Sequence, residues 1–336
     1  MLNLWKIIIL FLFVPMVSCA QEHDPNRETF NELWALLDER YSLFEARGVD
    51  WQAVKEKYKP QLNDIGTEQE LFDLCCQMIS ELNDGHTSLI DVISDERCNS
   101  FSFSNTPSIL GAFESKEAFW KVSDSTLKTN GFNELQLIDQ HVFYSFNERL
   151  GYIRLNLMSG TYRGFAKALE LVKDKEGLIL DIRLNPGGND ETLHRIAGRL
   201  VDETYISHYK ETRIAGTDQY TKLRSWKVEP EGPYQYLKSI ALLTSDFTAS
   251  ASDVFTLSLK GRSNVTIVGT PTMGAMSHVE SDRLKNGWRV NYSNKRTYSR
   301  DMVLYEGKGI PPDVYAESTD TTKDQVILKA IQLLQD

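Results

Sequence analysis

The segment 248–253, TASASD, places a hydroxyl nucleophile among small residues, between an apolar run and a helical pattern. At the start of a helix, Ser250 would lie at the positive end of the helix dipole, where a developing oxyanion is stabilised. Ser and Thr are also the commonest N-caps, so we expect Ser252 or Thr248 to cap this helix. Ser250 is therefore the candidate nucleophile of the chain.

A histidine that could serve as a base follows a helical pattern, in the segment 84–87, DGHT. An imidazole with its ordinary pKa of about 6.5 takes and returns protons near neutral pH. One histidine among six is more often structural. His86 is therefore a candidate base only in combination with a nucleophile elsewhere in the chain.

Two adjacent glycines, Gly187 and Gly188, stand in the segment 185–188, NPGG, directly after an apolar run. Ligands of α/β proteins gather at the carboxyl ends of strands. Glycines there allow a turn whose N–H groups point into a cleft, and each such donor stabilises an oxyanion by about 3 kcal/mol. Taken alone, a plain tight turn explains the segment equally well.

Helical patterns cover residues 20–82, with apolar side chains on one face from Phe30 to Phe44. The signals expected to begin or end these helices are Asn26, Gly48, Asp50 and a capping box of Thr67 with Glu70. The pattern predicts a small bundle of three helices that leads directly into the His86 segment.

Strands and helices alternate from residue 150 onward, which predicts an α/β core with helices packed outside a parallel sheet. The predicted elements are strand 152–157, helix 163–172, strand 177–183, strand 240–244, helix 250–259, strand 265–269 and helix 326–334. We expect short strands of uncertain register in 90–148 and a flap or an insertion in 201–238.

The composition argues against several kinds of partner and cofactor. The chain of 336 residues is 41% hydrophobic and 25% charged, with a formal net charge of −10. It has no basic run, so nucleic acid is not an expected partner. It has no CxxC pair and no histidine at ligand spacing from a cysteine, so we expect neither a metal site nor another cofactor. Cys75 and Cys76 lie in an apolar helical pattern and are predicted to be buried core residues.

The first residues indicate export. Lys6 precedes an apolar run, 7–17, that is too short to span a bilayer but fits a signal peptide over residues 1–19. The run ends in MVSC, which resembles a bacterial lipobox with Cys19 as the lipidated residue; a cleaved secretory peptide with an incidental Cys19 is the alternative. Several acyl chains on Cys19 would hold the protein on a membrane. We therefore expect the cell envelope of a Gram-negative bacterium, in the periplasm or at the outer membrane.

Together these segments resemble one family, the tail-specific or C-terminal-processing serine peptidases and their relatives, the tricorn core peptidase and the interphotoreceptor retinoid-binding protein modules. The resemblance runs from about residue 28 to 315 and rests on LNDGHT (82–87), GYI (151–153), LDIRLNPGG (180–188), TASASD (248–253), GTPTMGA (269–275) and GIPPD (309–313). It implies a crotonase-like, ClpP-like core over residues 90–336 that follows an N-terminal helical domain over 20–89.

The family has two catalytic designs. In one, a Lys downstream of the nucleophile is the general base, but Ala275 stands at that position here. The tricorn-like design uses a His after the helical part and a Glu shortly before the GxxPD segment, positions that His86 and Glu306 fill. In that design a Ser beside the His belongs to the charge relay, whereas Gly85 stands there in this chain.

The resemblance thus implies a serine peptidase in which Ser250 is the nucleophile, His86 the base and Glu306 the polarising acid. The N–H groups of Ala251 and of Gly187 or Gly188 would hold the oxyanion. Asp181 and Arg183 also match the family, and we expect them to be a buried structural pair.

Two other functions stay open at this point. The retinoid-binding modules of the family suggest a non-catalytic module for apolar ligands, and the same Ser250 would serve an acyl hydrolase. The joint presence of Ser250, His86 and Glu306 favours an enzyme. The Gly-Leu-Gly-Phe-like loop of a PDZ domain is missing between His86 and Gly151, so no PDZ domain is expected. The expected substrates are peptides or unfolded proteins.

Overall fold

The structure is a computed structural model that describes residues 24–101 and 109–335. The predicted signal peptide, the lipobox and Cys19 lie outside these residues. None of the helices within these two ranges is long and apolar enough to cross a membrane.

The described part of the chain alternates helices and strands. The α-helices are α1 (Pro25–Arg40), α2 (Phe44–Arg47), α3 (Trp51–Tyr58), α4 (Glu68–Ser80), α5 (Lys116–Thr129), α6 (Tyr162–Val172), α7 (Asp190–Gly198), α8 (Ala251–Leu259) and α9 (Gln325–Gln335), with a 3₁₀ helix at Lys59–Asp64. The strands are β1 (Ser88–Ile90), β2 (Arg97–Asn99), β3 (Gln136–Asp139), β4 (Val142–Phe146), β5 (Leu150–Leu155), β6 (Gly177–Asp181), β7 (Tyr205–Thr212), β8 (Arg224–Val228), β9 (Ser239–Thr244), β10 (Val265–Gly269), β11 (Val279–Arg283), β12 (Arg289–Ser293), β13 (Lys295–Ser299) and β14 (Val314–Tyr315).

The local signals of the N-terminal helices are confirmed in part. Asp50 caps α3 through the Ala53 N–H, and Thr67 with Glu70 forms a reciprocal capping box on α4. The prediction for α1 was wrong, because the cap is Asp24, whose carboxylate accepts from the Arg27 N–H. Pro25 then takes the first helical position, where its missing N–H costs nothing.

The helix predicted to reach Gly48 instead breaks after Arg40. Tyr41 is extended, with φ −70° and ψ 128°. Its carbonyl accepts from the Arg213 guanidinium at 2.6 Å, and the Ser42 N–H donates to the Ser293 carbonyl at 3.0 Å. Bonds to distant segments thus replace those of the helix. Gly48 does end a helix, at φ 67° after the short α2.

The N-terminal helices pack on a four-stranded antiparallel sheet of order β11-β12-β1-β2. Phe30, Leu37 and Met78 of the helices share one apolar cluster with Val290 of β12 and with Trp288, which directly precedes that strand. The boundary proposed at residue 89 stays a prediction, but the helices complete their core with strands from the other end of the chain.

A disulfide joins Cys76 of α4 to Cys98 of β2, while Cys75 is a buried free thiol. The expectation for Cys75 is confirmed, and that for Cys76 was wrong. β2 pairs antiparallel with β1 and so returns Cys98 to α4. This return is a tertiary feature that the spacing of the cysteines does not reveal.

The main sheet has seven strands in the order β14-β10-β9-β6-β5-β4-β3. The five strands from β14 to β5 are parallel, and the predicted strand–helix–strand unit is β5, α6 and β6. Helices α6, α7 and α8 share one apolar cluster with the sheet, and α9 packs in another. The α/β fold class is therefore confirmed. Because β6 and β9 are neighbours, the segments 185–188 and 248–253 leave the same edge of the sheet side by side.

Two regions differ from the expected detail. Residues 90–148 contain helix α5 besides short strands. The sequence pattern did not predict this helix, because buried Ser123 and Thr126 interrupt its apolar stripe and hide the helical period. Ser123 instead donates to Asp324 at 2.6 Å. The region 201–238 supplies β7 and β8, which form a three-stranded sheet with β13.

Candidate active site

Ser250 stands at the turn between β9 and α8 in a strained backbone conformation. Its φ of 55° and ψ of −121° lie where non-glycine residues are rarely found, and such strain collects at functional sites. Ser250 itself occupies the N-cap position, and its hydroxyl bonds to no other described residue. The expected cap by Ser252 or Thr248 is therefore wrong: Thr248 donates to the Ile182 carbonyl instead.

Gly187 packs directly against Ser250. A Cβ added to Gly187 would lie 2.6 Å from the Ser250 Cβ and 2.9 Å from the Ala251 nitrogen, distances that no side chain tolerates. Its φ of +110° also favours glycine. The two segments are joined further by the Ala249 N–H, which donates to the Asn185 carbonyl at 3.2 Å. The structure therefore brings the predicted nucleophile and the glycine turn together.

The three candidate oxyanion donors are not equivalent. The Gly187 N–H donates to Asn185 Oδ1 at 3.0 Å, so this donor is already used. The N–H groups of Gly188 and Ala251 find no acceptor among residues 24–101 and 109–335. Gly188 is exposed, and Ala251 begins α8, so its N–H lies at the positive end of that helix.

We expect Gly187→Ala to abolish most activity and to destabilise the fold. The new Cβ would collide with Ser250 and with the backbone on both sides of it. A matched control is Gly131→Ala, where φ is also positive, at +80°, but a Cβ would meet nothing within 4 Å. The control should lose about 1 kcal/mol of stability from backbone strain alone and keep its activity.

Thermal unfolding and peptide cleavage measure both effects. Equal losses of activity in Gly187→Ala and Gly131→Ala would show that close packing on Ser250 has no special role.

His86 lies in a half-buried turn between α4 and β1. Its backbone N–H donates to Asp84 Oδ1 at 3.0 Å, and its ring Nδ1 is buried without a hydrogen-bond partner in the described chain. Burial lowers the pKa of His86, and Arg47 and His278 lower it further, while the Asp84 carboxylate opposes them. At neutral pH the imidazole is therefore mainly neutral, as a general base must be.

The His86 turn and the Ser250 turn share a neighbour, the segment 273–275. A Cβ on Gly85 would lie 3.4 Å from the Met273 sulfur and 3.8 Å from the Ala275 Cβ. The Met273 N–H in turn donates to the Thr248 carbonyl at 2.9 Å. No hydrogen bond between the side chains of His86 and Ser250 is present in the residues that the structure covers.

Glu306 is fully buried but contacts Arg47 rather than His86. Its Oε2 accepts from the Met276 N–H at 3.0 Å, and its Oε1 lies 3.3 Å from the Arg47 guanidinium. Burial raises the pKa of Glu306 to about 8; the Asp84 carboxylate adds to this rise, and Arg47 opposes it. The carboxylate that bonds to the His86 turn is Asp84.

Sequence reasoning missed three residues of this cluster: Arg47, Asp84 and Asp253. Asp253 is buried and accepts from the N–H groups of Gly274 and Ala275 at 3.2 and 2.9 Å. Its burial raises the pKa of the carboxyl to about 6, despite these hydrogen bonds. Asp84 lies in the segment 84–87 and Asp253 in the segment 248–253, so their places in these motifs could have indicated them from the sequence. Arg47 lies in a helix far from any motif.

Comparison with known proteins places this site in a family. The sequence model of Peptidase family S41 matches residues 149–316, which contain Ser250, Gly187 and Glu306. The chain belongs to peptidase family S41. A second model, the Tricorn protease C1 domain, matches residues 23–80. The resemblance drawn from the sequence motifs is thereby confirmed, including its tricorn-like branch.

The curated proteins that the chain resembles include bacterial proteins named as probable CtpA-like serine proteases. One from Staphylococcus aureus strain N315 is 27% identical over 191 residues, which is 55% of this chain and 36% of the relative. One from Staphylococcus haemolyticus is 23% identical over 190 residues, 55% of this chain and 37% of the relative. The matched segment is thus about a third of the length of these relatives.

Solved structures of similar fold align with nearly the whole chain. A candidate peptidase from Parabacteroides merdae is 26% identical, with a TM-score of 0.80 over 94% of this chain and 98% of that one. Mature CPAF is 14% identical, with a TM-score of 0.65 over 92% of this chain and 95% of that one. The tricorn protease is 16% identical, with a TM-score of 0.59 over 92% of this chain and 36% of that one. Both share the fold.

Proposed function

We propose that this S41 member is an exported serine endopeptidase in which Ser250 attacks the peptide carbonyl and His86 takes its proton. The observation that carries the proposal is the turn at Ser250. Within the described residues its hydroxyl has no hydrogen-bond partner, and its backbone is strained. The N–H groups of Ala251, in the same turn, and of Gly188, next to the glycine that packs on Ser250, have no acceptor there either. A hydroxyl with free backbone donors in its own turn and in the adjoining turn suits acyl transfer.

The reaction would follow the logic of the catalytic triad. Neutral His86 accepts the Ser250 proton as the hydroxyl attacks, and the carbonyl oxygen becomes an oxyanion held by Gly188 and Ala251. His86 then protonates the leaving amine, and water attacks the acyl-enzyme with His86 again as the base. Glu306 acts through the charge of its cluster with Arg47, because it makes no hydrogen bond to His86 in the described chain.

Export is supported by the disulfide between Cys76 and Cys98, since such bonds persist in oxidising compartments outside the cytosol. We propose attachment to a membrane of the cell envelope through lipidated Cys19. The two curated relatives described above come from Staphylococcus, a Gram-positive genus, so the Gram-negative assignment stays a prediction from the lipobox and signal peptide alone.

Peptides and unfolded proteins are the proposed substrates, and a library experiment tests this. Residues 20–336 and the Ser250→Ala variant are incubated with a diverse peptide library and with a panel of acyl esters, and products are read by mass spectrometry. Peptide cleavage by the unaltered protein alone is expected. Hydrolysis of esters only would identify an acyl hydrolase, and the absence of all turnover in folded protein would favour a binding module.

We expect two ionisations in the pH profile of kcat/KM. Activity should rise with pH through a midpoint below about 6.5, because His86 must be neutral and its pKa is lowered by burial. A smaller rise near pH 8 should follow as Glu306 ionises and stabilises the imidazolium, since the pKa of Glu306 is raised to about 8.

Glu306→Gln should remove only the second rise. Steady-state rates between about pH 5 and 9 test this. A single midpoint near 8 that disappears in Glu306→Gln would mean that ionised Glu306, rather than neutral His86, limits the rate.

A further inference from the structure

One guanidinium joins the N-terminal helices to the candidate active site. Arg47 is the last residue of α2, and its side chain is only 8% exposed. Its Nη2 lies 3.3 Å from Glu306 Oε1 and 3.6 Å from Asp84 Oδ1, and both carboxylates are fully buried. Nη1 donates to the Asn83 carbonyl, and Nη2 also reaches the Gly274 carbonyl at 3.5 Å.

These partners hold the His86 turn. Asp84 accepts from the His86 N–H with Oδ1 and from the Thr87 hydroxyl with Oδ2, at 3.0 and 2.9 Å. Asn83 stands at a φ of 46°, which few non-glycine residues adopt. Arg47 therefore binds the turn at two points: it donates a hydrogen bond to the Asn83 carbonyl and pairs with the Asp84 carboxylate. The Asp84 oxygen nearest to Arg47 is Oδ1, the same atom that accepts from the His86 backbone N–H.

The same guanidinium is also linked to segment 274–276, which is bonded to the helix that begins directly after Ser250. Glu306 accepts from the Met276 N–H, and Asp253 of helix α8 accepts from the Gly274 and Ala275 N–H groups. The segment 274–276 is thus bonded to Arg47 and Glu306 on one side and to the Ser250 helix on the other. Arg47 is the cation at which the chains of contacts from His86 and from Ser250 meet.

Electrostatics make this cation necessary. Two buried carboxylates near each other raise each other's pKa, and an unpaired buried charge is strongly destabilising. Arg47 opposes the rise in the pKa of Glu306 and is the largest influence that lowers the pKa of Asp84 against the effect of burial. Among the described residues, the titratable groups that act on the pKa of His86 are Asp84, Arg47 and His278.

We propose that Arg47 is a positioning residue that sets the place and the charge environment of His86 relative to Ser250. This inference rests on the proposed peptidase function. Within the described residues Arg47 makes no hydrogen bond to Ser250 or to His86. It acts through Asp84 and Glu306, and it makes the N-terminal helices part of the catalytic unit.

The test replaces Arg47 with Met and with Lys in the protein of residues 20–336. Arg47→Met is expected to lower kcat by about 100-fold with little change in KM, because a displaced base slows the reaction but not substrate binding. The acid limb of the pH profile and the pKa of His86 should both shift to higher pH, since a cation is lost beside Asp84. The pKa of His86 is read from the ¹³Cε1–¹H NMR signal, assigned with His86→Gln.

A matched control is Arg213→Met. Arg213 is equally buried, at 9% exposure, and also fixes the N-terminal helices, through the Tyr41 carbonyl. In the described part of the chain it has no hydrogen bond or ion pair with Asp84 or Glu306, so its loss should lower the melting temperature without moving kcat or the His86 pKa. If Arg47→Met does not fold, Arg47→Lys decides. Lysine keeps the charge but cannot span four acceptors, so kcat should fall by about 10-fold with the His86 pKa near that of the unaltered protein.

The two measurements separate this inference from the proposed function. The NMR titration needs no turnover, so an unaltered protein that cleaves no peptide counts against the function alone. A folded Arg47→Met variant with an unchanged His86 pKa, or an Arg47→Lys variant with full kcat, would overturn the positioning role.

Discussion

Replacing Ser250 with alanine is expected to lower kcat for peptide cleavage by a factor on the order of 10⁵. The alanine removes the attacking oxygen and leaves the donors at Gly188 and Ala251 in place, so substrate should still bind with a similar KM. Steady-state kinetics and peptide binding to the variant measure the two effects separately. A residual rate within about tenfold of that of the unaltered protein would exclude Ser250 as the nucleophile.

Two further variants test whether the effect belongs to the hydroxyl. Ser252→Ala removes a buried hydroxyl two residues on that has no hydrogen-bond partner in the described chain, and it should keep full activity. Ser250→Gly should be inactive yet more stable by about 1 kcal/mol, because glycine relieves the strain at φ 55°. Such a gain would show that stability is sacrificed at Ser250 to present its hydroxyl.

The largest loss of stability is expected at Arg183, which lies two residues after the end of β6. Its guanidinium is fully buried and lies 2.7 Å from Asp181 Oδ2 and 2.8 Å from Asp324 Oδ2. The sequence predicted the pair with Asp181, and the structure adds Asp324, which precedes α9 and accepts from the Val326 and Ile327 N–H groups. One cation thus fixes the C-terminal helix to the sheet.

We expect Arg183→Met to lower the free energy of unfolding by about 3–5 kcal/mol, because it leaves two buried carboxylates without a counter-ion. Chemical denaturation measures the loss. The control is Arg149→Met, which breaks an exposed pair with Glu176 at 2.7 Å and should cost less than about 1 kcal/mol. Adding Asp324→Asn to Arg183→Met should recover part of the loss, because one unpaired carboxylate is removed. Equally small losses of stability in Arg183→Met and Arg149→Met would refute a stabilising role for the buried cluster.

The sequence by itself predicted what depends on neighbouring residues. The buried runs from Gly177 to Asp181, Ser239 to Thr244 and Val265 to Gly269 are strands within two residues of the predicted bounds. The capping box of Thr67 and Glu70 formed as expected, because its partners lie within one helical turn. The order of motifs also predicted the family, and with it Ser250 beside the glycine turn.

The tertiary structure decided everything that depends on segments distant in the chain. Arg47, Asp84 and Glu306 meet although 259 positions separate the first from the last, and no local pattern marks an arginine that will be buried between two acids. The same holds for Cys76 and Cys98, and for Tyr41, where the helix breaks to bond Arg213. Propensity and periodicity report only the nearest turns of the chain, whereas burial in a shared low-dielectric interior selects partners from anywhere along it. The sequence thus predicted the candidate nucleophile and the fold class, and the packing of the N-terminal helices on the core determined the charged surroundings of His86.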